Sequence, residues 1–352
     1  MFSVRLANDT DREKWNAYVS SNPEAGPYHL FEWRTAVEKG YGHRGYYLIA
    51  EGEDGECQGV LPSICMKFPW GQKSLVSLPY CDYAGPLGNE EAMKALIKEA
   101  LLLGKNLRVQ GLELRFSEEP IWLNDDSKLG PRGFHSKARM ILQLPKSSNE
   151  LWSRFKPKLR SQIKRPQKEG LNAEIGREDL LGHFYNVFKL NMHRLGSPVH
   201  DRRWFEYLLQ AYGEKARVGV VRLKNGASVA GGIILTLGRK SCVPWASSLR
   251  EYNPLAPNML LYYQFLAWSA DNGFNQFDFG RSTPGEGTYR FKEQWGSAPH
   301  PLHWYKFGFN GVLAPEMASK SSARDKVAFI WSKLPLPLTT FLGPKLRKYI
   351  SL

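Results

Sequence analysis

Four charged side chains surround one short loop near the end of the chain and could act on a polar substrate. Asp278 and Arg281 lie at the end of an apolar run, and Arg290 and Lys292 follow the loop. Fixed cations at such a loop can bind a phosphate or stabilise negative charge on a polar substrate. A carboxylate between two phenylalanines needs a partner, so a purely structural ion pair is the alternative for Asp278.

The elements that must position this loop are a strand before it and a short helix after it. Residues 274–279 predict a buried strand, and Phe291 and Trp295 lie one helical turn apart on one face. Between them, the glycines of residues 285–287 could bind an anion through backbone amides at the start of the helix. Glu286 argues against a bare phosphate there, and the same glycines could serve only the turn.

The two halves of the chain show the same order of predicted elements. Each half has three antiparallel strands, a helix and a further strand, at residues 45–50, 58–66, 74–78, 90–103 and 111–116, and again at 216–223, 228–237, 241–247, 257–270 and 274–279. A helix that crosses from antiparallel strands to another strand predicts an α+β fold with mixed sheets. Residues 145–148 are the natural boundary between the halves.

The last part of the chain has a different pattern. A closing strand is predicted at residues 302–307, and a charged helix at residues 315–333. Leucine and proline then alternate over residues 334–338. We interpret that alternation as an extended segment packed on the body, since proline disfavours a regular helix.

Composition narrows the class of protein. The formal net charge of +14 favours polyanionic partners such as RNA, nucleotide-linked substrates or an anionic membrane surface, and identifies none of them. No apolar run is long enough to span a membrane, and the polar N-terminus does not fit a signal peptide, so we expect a cytoplasmic protein, with peripheral contact at the inner membrane open. Four irregularly spaced cysteines suggest neither disulfides nor a zinc site.

A basic stretch predicts a second binding surface. Residues 154–168 carry seven positive charges and no acidic residue, at Arg154, Lys156, Lys158, Arg160, Lys164, Arg165 and Lys168. Such a helix could contact the phosphates of an RNA. A solvated basic face is the alternative.

The sequence lacks the motifs of several other catalytic and nucleotide-binding classes. The sequence contains no G-x-S-x-G elbow, no H-E-x-x-H motif, no Walker loop and no dinucleotide fingerprint. A further polar cluster, Asp82 and Tyr83, follows the third strand of the first half, where a loop would face the second half. We expect it to line the same cleft as the loop at residues 281–287, although an ordinary turn with aromatic packing would also fit.

The central stretch carries a family resemblance. Residues 278–296, which contain Asp-Phe-Gly-Arg and Thr-Tyr-Arg-Phe-Lys-Glu-Gln-Trp-Gly, and the Pro-Leu-His-Trp at 301–304 resemble the C-terminal signature of the FemABX-like aminoacyltransferases. Within that superfamily the chain most resembles FemAB-like proteins associated with the exosortase/PEP-CTERM system. Weaker matches at residues 151–170, 229–232 and 331–344 extend the resemblance over most of the chain.

The resemblance implies a fold and an activity. It implies two tandem domains like the GCN5-related N-acetyltransferases (GNAT), at residues 1–145 and 146–310, with a C-terminal extension at 311–352. FemABX enzymes transfer an amino acid from aminoacyl-tRNA to an amine of a peptidoglycan precursor. The expected partners are therefore an acyl donor and an amine-bearing envelope or exopolysaccharide precursor, with no DNA, metal or cofactor.

The resemblance also assigns roles to residues. It places Lys292 at the cleft where both substrates meet. We expect Lys292, together with Arg290, to stabilise the developing oxyanion or a substrate phosphate, and Asp278 or Asp82 to accept a proton or orient the amine. The expected substrate-binding residues are Tyr83, Arg194, Arg281, Tyr289, Arg290 and Phe291. The expected tRNA-binding residues are Lys156, Lys158, Arg160, Lys164 and Arg165.

Two departures from the family pattern keep other functions open. Residues 149–170 predict a single helical stretch rather than the long helical hairpin with which some Fem enzymes contact tRNA. The loop at 248–254 lacks the Q/R-x-x-G-x-G/A pattern of acetyl-CoA enzymes. A CoA-dependent N-acyltransferase and a non-catalytic envelope-assembly module remain the alternatives.

Overall fold

The computed structural model describes residues 2–124, 132–134, 136–309 and 321–351. Its strands are β1 (Ser3–Leu6), β2 (Arg44–Gly45), β3 (Leu48–Glu51), β4 (Cys57–Leu61), β5 (Ile64–Lys67), β6 (Lys73–Val76), β7 (Leu87–Gly88), β8 (Gly111–Phe116), β9 (Arg132–Phe134), β10 (Ala138–Gln143), β11 (Asn172–Gly176), β12 (Ala216–Arg222), β13 (Ser228–Leu237), β14 (Lys240–Ser248), β15 (Gln276–Ser282), β16 (Ala298–Pro301) and β17 (His303–Gly308). Its α-helices are α1 (Arg12–Ser21), α2 (Phe31–Tyr41), α3 (Glu90–Asn106), α4 (Ile121–Asn124), α5 (Ser148–Arg154), α6 (Pro157–Lys168), α7 (Leu181–Arg194), α8 (Arg202–Tyr212), α9 (Pro257–Asp271), α10 (Gly287–Glu293), α11 (Ser321–Lys333) and α12 (Leu336–Arg347).

The chain divides into two compact units. The first contains residues 1–139, 300–317 and 349–352, and the second contains residues 140–299 and 318–348. This division differs from the sequence-based domains of 1–145 and 146–310, because the closing strand β17 belongs to the first unit. There β17 pairs antiparallel with β8 from His303–Phe116 to Gly308–Gly111. The predicted extension beyond residue 310 also divides between the two units, and its residues 310–320 lie outside the described part.

The first unit holds two sheets. One has the strand order β1-β3-β4-β7, and the other has the order β2-β5-β6-β8-β17-β9. The connection from β6 to β8, which pair in parallel, runs through β7 and helix α3. The Asn89 side chain caps this helix by accepting a hydrogen bond from the backbone N–H of Ala92 at 2.9 Å.

The second unit is organised around one sheet with the order β11-β12-β13-β14-β15-β10-β16. Strands β11 to β14 form antiparallel neighbours, and helix α9 then crosses to β15, which pairs in parallel with β14. Helix α9 packs against the sheet through Phe265, which is fully buried. Gly219 and Gly232 make room for it, because a Cβ atom on either would come within 3.0 Å of the Phe265 ring.

Both units therefore show the repeated order that the sequence predicts: antiparallel strands, a crossover helix and a parallel strand. Prolines explain two of the places where the observed elements differ from the predicted ones. Two predicted strands of the first half are divided, one between β2 and β3 and the other between β4 and β5 around Pro62. The predicted helix of residues 149–168 likewise ends at Arg154 and restarts at Pro157.

The prediction of an extended segment at residues 334–338 is wrong. Helix α12 begins at Leu336, and Pro337 occupies its first turn, where a missing N–H costs no helical hydrogen bond. Pro335 lies just before the helix with an extended ψ of 137°. The alternating prolines start a helix here instead of preventing one.

Candidate functional site

The site lies in the second unit, where two parallel strands stop pairing. The register of β14 and β15 runs from Lys240–Gln276 to Cys242–Asp278. Beyond that point β14 continues to Ser248 and β15 to Ser282, and no further pairing between these strands is present in the described residues. Asp278 therefore stands at the point where the sheet opens.

Asp278 fixes the backbone just after this point. Its carboxylate is buried and accepts a hydrogen bond from the N–H of Gly280 at 2.8 Å. Gly280 has a φ of +74°, a left-handed conformation that glycine adopts without steric cost. The pair turns the end of β15 towards the loop and helix α10.

Lys292 lies on α10 and reaches back to the same backbone. Only 8 % of the residue is exposed, and its Nζ donates to the carbonyl oxygens of Gly280 at 3.0 Å and Arg281 at 2.7 Å. The Lys292 carbonyl in turn accepts from Ser297 Oγ at 2.9 Å. An ammonium held this rigidly needs little reorganisation to stabilise negative charge, which is the property required of an oxyanion-stabilising group.

A cavity of about 340 Å³ lies beside Lys292. It is lined by Asn191, Arg194, Ala246, Ser247, Ser248, Arg250, Asn253, Asn258, Leu261, Tyr262, Gly287, Thr288, Phe291 and Lys292. Three of these described lining residues are cations and none is a carboxylate. Arg194, Arg250 and Thr288 are exposed, whereas Lys292 is buried, so the cavity leads from a polar rim to a fixed ammonium. The cavity therefore suits an anionic or carbonyl-bearing ligand.

A short chain of hydrogen bonds orients one of the rim cations. Asn191 donates through Nδ2 to Ser247 Oγ at 3.1 Å, and its Oδ1 accepts from Arg194 at 3.0 Å. Ser247 belongs to β14 and Arg194 to the last turn of α7. The guanidinium is thereby connected to the strand that forms the floor of the cavity.

Aromatic side chains form the apolar wall. The ring of Tyr262 stacks on Phe279 at 5.6 Å and meets Phe291 at 5.1 Å, and Phe291 meets Trp295 at 6.2 Å. Phe291 and Trp295 therefore lie on one face, as the sequence predicts, although α10 ends at Glu293. Burial raises the pKa of Tyr262, so its hydroxyl stays protonated at neutral pH.

Known proteins resemble this chain along most of its length. A model of the acetyltransferase (GNAT) domain matches residues 153–293. The lipid II:glycine glycyltransferase of Staphylococcus aureus (strain MRSA252) is 21 % identical over 81 % of this chain and 88 % of that protein. The crystal structure of FemX superposes with a TM-score of 0.71 at 18 % identity, over 88 % of this chain and 98 % of that one.

The chain resembles the FemABX family.

The fold agrees with this resemblance. A tandem GNAT protein from the clavulanic acid biosynthesis pathway superposes with a TM-score of 0.56 at 10 % identity, over 88 % of this chain and 98 % of that one. The predicted fold, an α+β chain with tandem GNAT-like domains, is confirmed. The predicted enzyme class, an acyltransferase, is also confirmed. The finer resemblance to exosortase-associated proteins stays a prediction.

The predicted site residues of the second unit occupy different positions around the cavity. Arg194, Phe291 and Lys292 line it. Arg281 contributes a carbonyl oxygen to Lys292, while its side chain, like those of Tyr289 and Arg290, is not among the lining groups. Tyr289 packs against the hydrophobic core, and Arg290 is exposed.

Asp82 and Tyr83 lie in the first unit. The carbonyl oxygen of Asp82 accepts from Trp304 Nε1 at 3.0 Å, and the buried Tyr83 ring carries the Arg139 guanidinium 4.0 Å from its centroid. Tyr83 also meets Tyr28 edge to face at 5.3 Å. Their participation in one site with Lys292 stays a prediction.

The basic helix α6 has one buried and one cationic face. Leu159 and Ile163 belong to the core of the second unit. The predicted tRNA-binding side chains point away from it: Arg160 is partly exposed, and the exposed ones are Lys156, Lys158, Lys164 and Arg165. The Lys164 ammonium lies 5.5 Å from the Trp152 ring centroid. Such a surface can follow a phosphate backbone.

Sequence reasoning missed several polar lining groups, notably Arg250, Asn191 and Ser247. Arg250 lies in the loop at residues 248–254, eight residues before Asn258 at the start of α9. A cation close to the start of a crossover helix was the signal available for it. In the described residues no group of three or more His, Cys, Asp or Glu side chains could hold a metal ion.

Proposed function

We propose that this protein transfers an aminoacyl group from aminoacyl-tRNA to an amine of a cell-envelope precursor of the peptidoglycan type. The observation that carries the proposal is the buried Lys292 ammonium, fixed on two carbonyl oxygens beside a cavity whose charged lining residues are all cations. The similarity to glycyltransferases that are named for lipid II supports the class of acceptor.

The reaction would be a direct acyl transfer. The amine of the acceptor attacks the ester carbonyl of the aminoacyl-tRNA, the new C–N bond forms, and the ester C–O bond breaks. The terminal ribose hydroxyl of the tRNA leaves and takes up a proton, while the attacking amine loses one. No covalent intermediate with the enzyme is needed.

Lys292 would act where negative charge develops. In the tetrahedral intermediate the carbonyl oxygen becomes an oxyanion, and a preorganised ammonium stabilises it more than it stabilises the neutral ester. Asp82 or Asp278 would accept the proton of the amine. Asp278 would also have a positioning role, because it accepts a hydrogen bond from Gly280, whose carbonyl oxygen accepts from Lys292.

The rim of the cavity would bind the phosphates of the acceptor. Arg194 and Arg250 are exposed and belong to different elements, so a diphosphate between them could be held from two sides. Nucleotide-linked and lipid-linked precursors both carry such a group. The exposed cations of α6 would bind the tRNA backbone.

A CoA-dependent N-acyltransferase is the second candidate. The match of residues 153–293 to an acetyltransferase domain favours it. The segment before α9, Arg250–Leu255, forms a 3-10 helix without the glycines by which acetyl-CoA enzymes hold a pyrophosphate.

Parallel reactions with charged tRNA and with acyl-CoA distinguish the two candidates. Each donor is incubated with nucleotide-linked and lipid-linked envelope precursors, and mass spectrometry detects the acylated product. We expect product from aminoacyl-tRNA alone. Product from acyl-CoA with none from aminoacyl-tRNA would establish the second candidate, and no product from either donor would favour a non-catalytic envelope module.

A further inference from the structure

The last two helices form a surface that the proposed transfer reaction does not use. We name it the C-terminal surface and define it as the outward side of α11 and α12 over residues 325–347. Both helices pack their other side against the end of α7 and the segment that follows it. Thr339 Oγ1 lies 3.1 Å from His193 Nδ1, and a Cβ atom on Gly343 would come within 2.9 Å of the Val199 backbone.

Helix α11 packs closely against the segment that follows α7. A Cβ atom on Gly196 would lie 2.0 Å from the carbonyl oxygen of Ala328. Trp331 is buried on this side, with 9 % of the residue exposed. The opposite sides of α11 and α12 therefore point away from α7.

Those outward sides carry large apolar side chains. Phe329 is 64 % exposed, Ile330 61 % and Phe341 63 %. Leu338 lies one helical turn before Phe341 and is 41 % exposed. Single exposed apolar residues are common, but a concentration of them on two consecutive helices marks a surface that contacts a partner.

Lysines alternate with these apolar side chains. The Lys345 ammonium lies 3.8 Å from the Phe341 ring centroid, and that of Lys333 lies 5.3 Å from the Phe329 centroid. Lys326 is exposed on α11, and residues 325–348 contain one acidic residue, Asp325. Apolar and cationic groups thus lie side by side on each of the two helices.

We propose that the C-terminal surface docks on an anionic lipid bilayer, with the phenylalanines in the interface and the lysines at the headgroups. Exposed aromatics with adjacent lysines are the pattern of helices that lie in a membrane interface. No helix in the described residues is long and apolar enough to cross a membrane, which agrees with this interfacial arrangement. A second copy of the chain would bring like charges together and fits the surface less well.

Docking would bring the cavity close to the membrane. The helix against which α11 and α12 pack is α7, and its Asn191 and Arg194 line the cavity. A bilayer on the C-terminal surface would therefore hold this helix near lipid-linked molecules. The docking proposal goes beyond the transfer reaction and does not depend on it.

Sedimentation with lipid vesicles tests the proposal directly. The full-length protein is mixed with vesicles of phosphatidylcholine alone and of equal parts phosphatidylcholine and phosphatidylglycerol. We expect it to pellet with the anionic vesicles and to remain largely in the supernatant with the neutral ones. Binding should weaken as salt is added, because part of the attraction is between exposed charges.

Two double variants separate the apolar and the ionic contributions. Phe329→Ser with Phe341→Ser, and Lys333→Gln with Lys345→Gln, should each lower the partition coefficient by about tenfold. The matched control is Leu102→Ser on α3, an exposed leucine of the first unit, which should bind as the wild type does. Unfolding temperatures and transfer to a soluble nucleotide-linked acceptor should change little in all three proteins.

Three results would overturn the proposal. The wild type could stay in the supernatant with both kinds of vesicle, or both double variants could pellet as well as the wild type. The wild type could also be a dimer without lipid that the phenylalanine variant converts to a monomer, which would identify a second copy as the occupant. None of these results bears on the transfer reaction, whose failure would be seen with soluble substrates.

Discussion

Asp278 and Lys292 hold the same residue from its two polar backbone groups. The carboxylate of Asp278 accepts from the N–H of Gly280 at 2.8 Å, and the ammonium of Lys292 donates to the carbonyl oxygen of Gly280 at 3.0 Å. Both side chains are buried. The cation beside the cavity and the backbone on which it rests are therefore fixed by one small network.

This network predicts the effect of removing the carboxylate. Asp278→Ala should lower the free energy of unfolding by about 1–3 kcal/mol, because the buried N–H of Gly280 loses its acceptor. Activity should fall as well, because the Gly280 carbonyl oxygen that accepts from Lys292 would be less well positioned. Chemical denaturation and steady-state kinetics measure the two effects. Asp278→Asn, whose amide oxygen can still accept from Gly280, should retain most of the stability, and equal stability of Asp278→Ala and wild type would refute the positioning role.

The rim of the cavity predicts a binding effect. Arg194→Ala and Arg250→Ala should each raise KM for a phosphate-bearing acceptor by about tenfold and change kcat much less, because a remote phosphate is bound equally in the ground and transition states. Arg239→Ala is the control, since Arg239 is exposed and lies outside the cavity lining. An unchanged KM in both rim variants would contradict the proposal that Arg194 and Arg250 bind a diphosphate of the acceptor.

The basic helix predicts a salt effect. If Lys158 and Lys164 contact tRNA phosphates, replacing both with glutamine should reduce the slope of log Kd against log salt by roughly 1.4–1.8, at about 0.7–0.9 per contact. Filter binding over a range of salt concentrations measures the slope. Lys94→Gln on α3 removes an exposed charge of the first unit and should leave the slope unchanged. Identical slopes for the double variant and the wild type would show that α6 is only a solvated face.

Buried His200 predicts a pH dependence of stability. Burial, followed by the nearby positive charge of Arg347, holds the pKa of His200 well below its usual value. The folded protein keeps the ring neutral, whereas the unfolded chain binds a proton below about pH 6.5. The contribution of the ring is therefore complete above that pH and is lost as the pH falls, by at most about 1.4 kcal/mol per pH unit.

Replacing the ring isolates this effect. His200 stacks on Trp204 at 5.8 Å, so His200→Phe keeps an aromatic ring in that position. The difference in unfolding free energy between pH 7.5 and pH 5 should be smaller in the variant than in the wild type. Equal differences in the two proteins would mean that His200 titrates alike in the folded and unfolded states.

Local signals predict much of this fold. Strand β13 has the predicted bounds because its mostly apolar residues lie between two glycine-containing turns, and α3 starts where Asn89 caps it. The effect of a proline is harder to predict, because whether it breaks a strand or starts a helix depends on tertiary context. Pro62 separates β4 from β5, whereas Pro337 occupies the first turn of α12.

Only part of the candidate site could likewise be predicted from the sequence. The signature around Lys292 is contiguous in sequence, so the strand, loop and helix that carry it could be predicted. Arg250 and Asn191 come to the cavity from separate elements, and only the tertiary packing of α7 and the segment before α9 brings them together. The placement of β17 in the first unit rests on pairing with β8, almost two hundred residues earlier, which no local pattern encodes.

The central claim is that Lys292 stabilises the oxyanion of acyl transfer. Its most direct test is the single-turnover rate of aminoacyl transfer by Lys292→Met, measured with acceptor bound and compared with Glu293→Gln, an exposed change on the same helix. We predict a rate about 10²–10³-fold lower for Lys292→Met, with acceptor affinity within about threefold of wild type, and an unchanged rate for Glu293→Gln. A folded Lys292→Met protein that transfers at the wild-type rate would contradict the claim.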